Sequence, residues 1–438
     1  MTNLPPGSSG LPLLGETLSF VKDIFGFIHR RTQQHGPIFR SHILGTPTVF
    51  ISGPEVCDAW LDESKIQREG AFPAPVQELF GGPGILPLLD GAAHRARKQI
   101  VLSGFSREAI AAYLPALQTL IENSLKRWAA LGEVKLLEEL KMLAIECICG
   151  NVLGLPAGDP TTAALVADYQ FVFQAFAALP IKLPGTPFTK GLRARDRILT
   201  RYREQVARHQ QAQSDDGLSR ILAARAPDGT QITAEQAALE LHHVVLAGYI
   251  VFAELAALLI ELHRNPQIRE RLAAEVKAQS AAGPITPAQL RQMPYLLQVI
   301  NETKRATPVV PVSFGRTRAD LSLNGFTIPA GWNVMMAVVE SNFNQVFTEP
   351  AKFDPERFSP ARAEEKRHPH AFAPQGAGTL EGHKCAGYDY STVLMQVFAV
   401  ALLRRYAWEL PAQDLSLKYA LIPPEQKSGL RVQLKMLQ

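Results

Sequence analysis

Apolar positions recur at helical spacing over most of the chain and alternate like strands over two short stretches, and that division predicts the order of elements. After a Pro- and Gly-rich start to about Gly15 and a short helical segment, residues 37–53 read as strand, with β-branched and aromatic residues between turn formers. From Arg107 to Leu153 the apolar period is helical. Residues 171–188 are apolar but carry Pro180, Pro184 and Pro187. Each internal proline removes a backbone donor, so this stretch is two helix ends around an apolar loop, either a packed connection or a mobile lid over an apolar pocket. A long helix starts at Thr233, where Thr233 and Gln236 form a capping box. It runs to about Asn265, roughly 30 residues or about 45 Å. Its centre, residues 244–255, is apolar all round apart from Glu254, which places it in the interior. A shorter helix over Tyr295–Ala306, short strands over residues 314–339, a Pro- and charge-rich meander over residues 342–370, a helix after Cys385 and a β-rich tail complete the order. The expected fold is mainly α with a small β region, in a single domain spanning 1–438. Within it, residues 30–70 are the β-rich N-terminal part and 71–310 the helical body. The strands, meander, cysteine loop and last helix occupy 311–438.

Composition narrows the function classes. The chain has 438 residues, of which 46% are hydrophobic and 20% charged, values of an ordinary globular chain rather than a disordered or fibrous one. The formal charge of +4 is small and unclustered, so nucleic acid is not an expected partner. Four cysteines without CxxC spacing (Cys57, Cys147, Cys149 and Cys385) make neither a disulfide framework nor a metal finger, which fits a reducing, cytoplasmic setting. The start lacks the features of a signal peptide. The longest apolar run, Val244–Ala253, is ten residues, short of a transmembrane anchor.

Chemistry concentrates near the C-terminus. Cys385 follows Gly376, Gly378 and Gly382 and precedes Gly387 and a strongly apolar helix. A cysteine in a glycine-rich loop at a helix N-terminus has backbone N–H groups and the helix dipole to stabilise a thiolate, the form that serves as an axial donor to heme iron. On the cysteine alone, a buried structural thiol remains the other reading. Glu302 and Arg305 stand one helical turn apart, placed for an ion pair. They are followed in order by Phe353-Asp-Pro-Glu-Arg357-Phe358 and then by the cysteine loop.

Together these three segments resemble the cytochrome P450 family. The resemblance implies that Glu302, Arg305 and Arg357 form a buried triad and that Cys385 is the thiolate ligand of heme b. It further implies that His94, Lys98, Arg316 and His383 cradle the two propionates, with Gly387 in the cofactor loop. The opening PPGSSGLPLLGETLSF, HRARKQI, LPIKLPGTPF and MPYLLQVINETKR are similar to the cyanobacterial and animal retinoic-acid-hydroxylating branch, over nearly the whole chain.

Two departures bear on mechanism. Family members that activate dioxygen carry Ala-Gly-x-(Asp/Glu)-Thr midway along the long helix. Here the run is Ala247-Gly248-Tyr249-Ile250-Val251, so Ile250 and Val251 stand where the acid and the alcohol would be, and neither relays a proton. In the cysteine loop the phenylalanine usual seven residues before the cysteine is replaced by Gly378; Phe372, 13 before, makes this loop six residues longer. PQGAG with GHKC is similar to fatty-acid peroxygenases, and KCAGYDY faintly resembles allene oxide synthases and hydroperoxide lyases. The arginine that peroxygenases use to hold a substrate carboxylate has no counterpart, since no Lys or Arg lies between Arg225 and Arg264.

The resulting expectation is a heme-thiolate enzyme acting on a hydrophobic small molecule by peroxide or hydroperoxide use, rearrangement, or oxygen or nitrogen transfer from a preactivated substrate. The alternatives are a conventional monooxygenase supplied by ferredoxin or flavodoxin, for which Arg97, Lys98 and Lys384 would form a docking face, and a non-catalytic heme sensor. The resemblance places the substrate pocket among Phe72, Phe80, Tyr249, Phe252, Val309, Val310, Val312, Leu421 and Ile422, beneath Ala247, Gly248 and Val251. A monomer is expected.

Overall fold

The computed structural model describes residues 3–12, 14–212, 214–280, 282–419 and 422–437. The strand-like stretch folds into β1 (Ile38–Ile43) and β2 (Thr46–Ile51), an antiparallel hairpin with Ile38 opposite Ile51. Leu44 and Gly45 both take positive φ at its tight turn, where glycine carries no steric cost. The sheet is completed from both ends of the chain by β3 (Ile66–Gln67), β4 (Val312–Thr317) and β5 (Asn333–Ala337), in the order β1-β2-β5-β4-β3. β2 and β5 run parallel, Thr48 opposite Asn333, and the other pairs are antiparallel. Alternation puts Phe39 and Phe50 on one face, stacked 4.8 Å apart, with Phe20 and Phe27 closing over them.

The helical body uses α1 (Gly91–Ser103), α2 (Arg107–Leu131), α3 (Leu136–Leu153), α4 (Pro160–Phe176) and α5 (Pro187–Gln211), then α6 (Ala234–Tyr249), α7 (Val251–Arg264), α8 (Pro294–Ala306) and α9 (Tyr388–Arg405). α4 and α5 are the two helix ends predicted around the proline-broken loop. The stretch predicted as helical from Arg107 to Leu153 is two helices. Gly132, at φ 75°, ends α2, and residues 133–135 are drawn out as a strand against residues 431–433, a pairing partner that local periodicity does not reveal.

The long helix is likewise divided. Thr233 and Gln236 cap it reciprocally as expected. At Ile250, however, the carbonyl accepts from the Ala253 N–H at 3.1 Å, a tighter turn that separates α6 from α7. The break lies two residues past the closest packing in the helix, where a Cβ on Gly248 would sit 2.5 Å from Ile148 Cγ1 of α3. Taken as one rod, Ala234–Arg264 contains an 18-residue window of mean hydropathy 2.1, enough by length and composition to cross a bilayer, yet 89% of that window is buried inside the fold. It shares one continuous buried core with residues such as Ile145, Leu394, Val397 and Phe398. Each such side chain contributes roughly 1.5–3 kcal/mol on burial.

Gly248→Ala is expected to lower stability by about 1–3 kcal/mol through overpacking, although Ala is the better helix former by about 1 kcal/mol. In an Ile148→Ala background the same exchange should cost less, a coupling read from chemical denaturation of the four proteins of the cycle.

Candidate functional site

Three segments distant in sequence meet at Glu302. Its carboxylate takes two hydrogen bonds from Arg305, 2.7 Å from Nε and 2.8 Å from Nη2, as α8 spacing dictates. Arg357, on the one-turn 3₁₀ helix Pro355–Phe358, donates its Nε to the same carboxylate at 3.0 Å. All three side chains have zero exposure. The remaining guanidinium protons reach carbonyls of Asn342, Thr348 and Lys352 at 2.8–3.0 Å. The geometry brings the sequence-predicted triad together and adds a member that its spacing did not signal. Glu364 accepts from Arg357 at 3.1 Å and from Arg362 at 2.8 Å. Burial works to raise its pKa, but hydrogen bonds from Arg362 and Thr348 outweigh that and hold it at about 2. Two carboxylates therefore face the two buried arginines.

The cysteine loop hangs from this cluster. Cys385 is the one of the four cysteines that is not buried. Burial pushes the Cys57 thiol up to about 12, and raises Cys147 and Cys149 too, so these three are inert core side chains. The Cys385 N–H donates to the Gln375 carbonyl at 2.9 Å, closing the loop across Gly376 and Gly378, both at positive φ. A Cβ on Gly376 would lie 3.2 Å from the His383 carbonyl, which is why the turn takes glycine. Gly387 caps α9 directly beyond the sulfur.

Cations gather beside the loop. The His94 and His383 rings stack at 4.1 Å and 25°. His383 Nε2 meets Glu63 Oε1 at 2.8 Å, and that carboxylate also accepts from the Gly91 N–H at 2.9 Å. Burial, with His383 alongside, depresses His94 to about 3. Lys98 is 2% exposed, donates to the Lys384 carbonyl and has no acidic partner among the described residues. Arg316 reaches only Asn333 Oδ1, at 3.4 Å. Sequence reasoning missed Arg68, 2% exposed, whose guanidinium lies 3.8 Å from the Trp60 ring centroid and donates to the Trp60 carbonyl at 2.6 Å. Lys98 and Arg68, buried, and Arg316, half-buried, have no ion-pair partner among the described residues; with the two histidines as further donors and Cys385 as a thiol, they fit the propionates and the iron of heme b. Two of the three cations expected at a redox docking face are turned inward: Arg97 is 8% exposed and paired at 2.8 Å with Glu240 of α6, and Lys98 is buried, while Lys384 is half-buried with its ammonium 3.8 Å from the Tyr388 ring centroid.

Above the site, Ile250 and Val251 are buried and apolar, and Ala247 is half-buried. Tyr249 and Phe252 lie on another face of the helix than the predicted pocket. Tyr249 stacks on Phe173 at 5.5 Å and on Tyr169 at 6.0 Å, and Phe252 packs under Lys141 of α3. Phe72 and Phe80 touch at 6.3 Å. The other predicted wall residues scatter: Val309 joins the helical core, Val312 and Ile422 the sheet-side core, Val310 is exposed, and Leu421 lies outside the described residues. A cavity of about 560 Å³ opens between the sheet and the α4–α5 loop, lined by Leu14, Phe72, Leu179, Pro180, Arg316 and Asn333.

Comparison with known proteins gives a consistent picture. The family profile described as Cytochrome P450 matches residues 5–427. The "Putative cytochrome P450 120" of Synechocystis sp. is 31% identical over 99% of this chain and 97% of its own length. Abscisic acid 8'-hydroxylase 2 of Arabidopsis thaliana is 28% identical over 98% of this chain and 89% of its own. Among solved structures, retinoic acid-bound cyanobacterial CYP120A1 superposes with a TM-score of 0.92 at 30% identity, covering 100% of both chains.

Arg357→Ala, which leaves Glu302 and Glu364 short of a buried cation, is expected to cost about 3–5 kcal/mol of stability in chemical denaturation. The folded pKa of Glu364 lies below its ordinary 4.5, so its contribution is complete above that value and fades as pH falls towards about 2. Thermal midpoints followed from neutrality to acid should show a smaller acid-induced drop in Glu364→Gln than in the unaltered protein.

Proposed function

The chain belongs to the cytochrome P450 family, an enzyme family whose members bind heme b and act on hydrophobic substrates, and on that premise we propose that it oxidises an apolar small molecule using an oxidant that arrives already activated. The observation that carries this reading is the pair Ile250–Val251, apolar, 8% and 4% exposed, at the point of the long helix where an acid and an alcohol would otherwise move protons. When bound, heme b supplies the iron at which a weak O–O or comparable bond is broken and an oxygen or nitrogen group is transferred.

This chain's residues set the conditions. Cys385 is presented by a loop that its own N–H closes, which fixes the backbone from which the sulfur projects. His94, Lys98, Arg316 and His383, with Arg68 behind them, provide the charge and donors for propionates. Ala247, Ile250 and Val251 exclude water and offer no proton, so the departing fragment has to carry its own proton or leave as a stable anion. The mostly apolar cavity of about 560 Å³ between the sheet and the α4–α5 loop suits an apolar small molecule, the class to which the retinoic and abscisic acids named for the relatives belong. Peroxides, hydroperoxides and preactivated substrates all meet the requirement.

Dioxygen-dependent hydroxylation with electrons from a ferredoxin or flavodoxin is the second reading, favoured by the relative named as a hydroxylase. Two measurements separate them. The reduced, carbon monoxide-bound protein should show the thiolate-ligated spectrum, and Cys385→Ser should abolish it. Turnover should be supported by peroxide or a preactivated substrate and be slow with dioxygen plus a reducing couple. Ile250→Glu with Val251→Thr is expected to raise NAD(P)H-driven hydroxylation by roughly 10²-fold, the lower bound for a positioned general acid. Fast dioxygen-dependent turnover of the unaltered protein, with none from peroxide, would overturn the first reading in favour of the second.

A further inference from the structure

Between the long helix and α9 lies a buried charge that neither the Glu302 cluster nor the propionate cradle uses. Lys304, inside the Glu-Thr-Lys-Arg run of α8, has zero exposure. Its Nζ is 2.7 Å from Ser391 Oγ, 2.9 Å from Thr392 Oγ1, 3.0 Å from Gln375 Oε1 and 3.4 Å from the Tyr388 carbonyl. An ammonium has three protons, so these four acceptors use its donors fully. The acceptors come from both sides of Cys385: Gln375 from the arm that enters the loop, the other three from the helix that leaves it. Gln375 is the residue whose carbonyl holds the Cys385 N–H at 2.9 Å. The Tyr388 ring covers the ammonium at 4.5 Å.

This is an adverse place for a cation. Burial disfavours the charge, and the first turn of a helix is its positive end. Glu254 of α7, then Cys385, oppose the burial that lowers the Lys304 pKa, while burial raises the Glu254 pKa against the pull of Lys304. Glu254 is 2% exposed and its Oε2 has no hydrogen-bond partner among the described residues. It stands three residues beyond Val251 on the long helix, so the cation is tied electrostatically to the helix that roofs the site.

We propose that Lys304 is a positioning residue for the Cys385 thiolate: its ammonium clamps the two arms of the cysteine loop through Gln375 and the first turn of α9, and holds a positive charge beside the sulfur. The proposal rests on the heme-thiolate reading and adds a consequence to it. A fixed cation beside the sulfur draws donor strength from it and favours the reduced metal, so the chain holds its cofactor with a less electron-rich thiolate than the loop alone would give.

Lys304→Met keeps the length of the side chain and removes its charge and donors; Lys304→Arg keeps the charge. Each protein is loaded with heme and three quantities are measured: the reduction potential by spectroelectrochemistry, the rate of heme loss to a scavenger protein, and the lifetime of the thiolate-ligated carbon monoxide complex. For Lys304→Met the potential should fall, heme loss should accelerate roughly tenfold, and the thiolate-ligated complex should decay faster. Lys304→Arg should restore the potential. If Lys304→Met does not fold, Ser391→Ala with Thr392→Val, which removes two acceptors and leaves the charge, should shorten the lifetime of the complex with a smaller change in potential. A folded Lys304→Met, or that double variant in its place, with potential, heme loss and lifetime equal to the unaltered protein overturns the proposal. Absence of the thiolate-ligated spectrum from the unaltered protein would instead overturn the underlying heme-thiolate reading.

Discussion

A carboxylate with zero exposure, flanked by two arginines with zero exposure, is the constraint on which the rest of the structure depends. Such a cluster is tolerable only when every donor is used, because an unpaired buried charge costs several kcal/mol. Glu302 satisfies its oxygens with Arg305, Arg357 and the Asp354 N–H, and the arginines spend their remaining protons on backbone carbonyls of the meander. A stretch rich in proline and charge, with little regular structure of its own, is thereby made rigid. The cysteine loop follows that stretch in the chain and leans on it, with Asn342 holding the Ala373 N–H at 3.1 Å.

Around that anchor the protein separates its charges by task. The Glu302 cluster pairs acids with arginines and is electrically closed. The cradle beside Cys385 leaves Lys98 without an acid and Arg316 with an amide oxygen alone, an arrangement suited to an anionic ligand. Glu63 tempers that excess by holding His383, which in turn supports the His94 ring. Lys304 and Glu254 occupy a third position, close to the sulfur on one side and the long helix on the other. The apolar pair Ile250–Val251 and the buried Lys304 thus act on different things, the one on the supply of protons above the site and the other on the loop that presents Cys385.

Much of this was legible along the chain. Helical periodicity, the Thr233 capping box and the proline-broken loop marked most helices, and residues 37–53 read as strand, although their division into a two-stranded hairpin was not foreseen. The Glu302, Arg305, Arg357 and Cys385 segments were legible through their resemblance to the family, residue type and spacing alone leaving an ion pair and a structural thiol open, and the same resemblance marked the missing acid and alcohol at Ile250 and Val251. What depended on partners far away in sequence was not legible. Residues 133–135 are a strand because residues 431–433 pair with them. The sheet joins strands from opposite ends of the chain, pairing Thr48 with Asn333 and Ile66 with Thr317. Arg97 reads as a surface charge until Glu240 is brought against it.

The sequence by itself determined which groups could do chemistry, because thiol, guanidinium and carboxylate are properties of residues, and it determined the helices, because their hydrogen bonds are local. Only the tertiary structure decided which of those groups are buried, which face each other and which turn away. Tyr249 and Phe252 are neighbours of Val251 in the chain yet pack against α4 and α3, since successive helical residues point about 100° apart. Lys304 is a common polar helix residue in sequence; four acceptors from a helix and a loop more than 70 positions away make it a fixed charge beside the sulfur. Burial and long-range pairing are collective properties of the packed chain, and no local pattern encodes them.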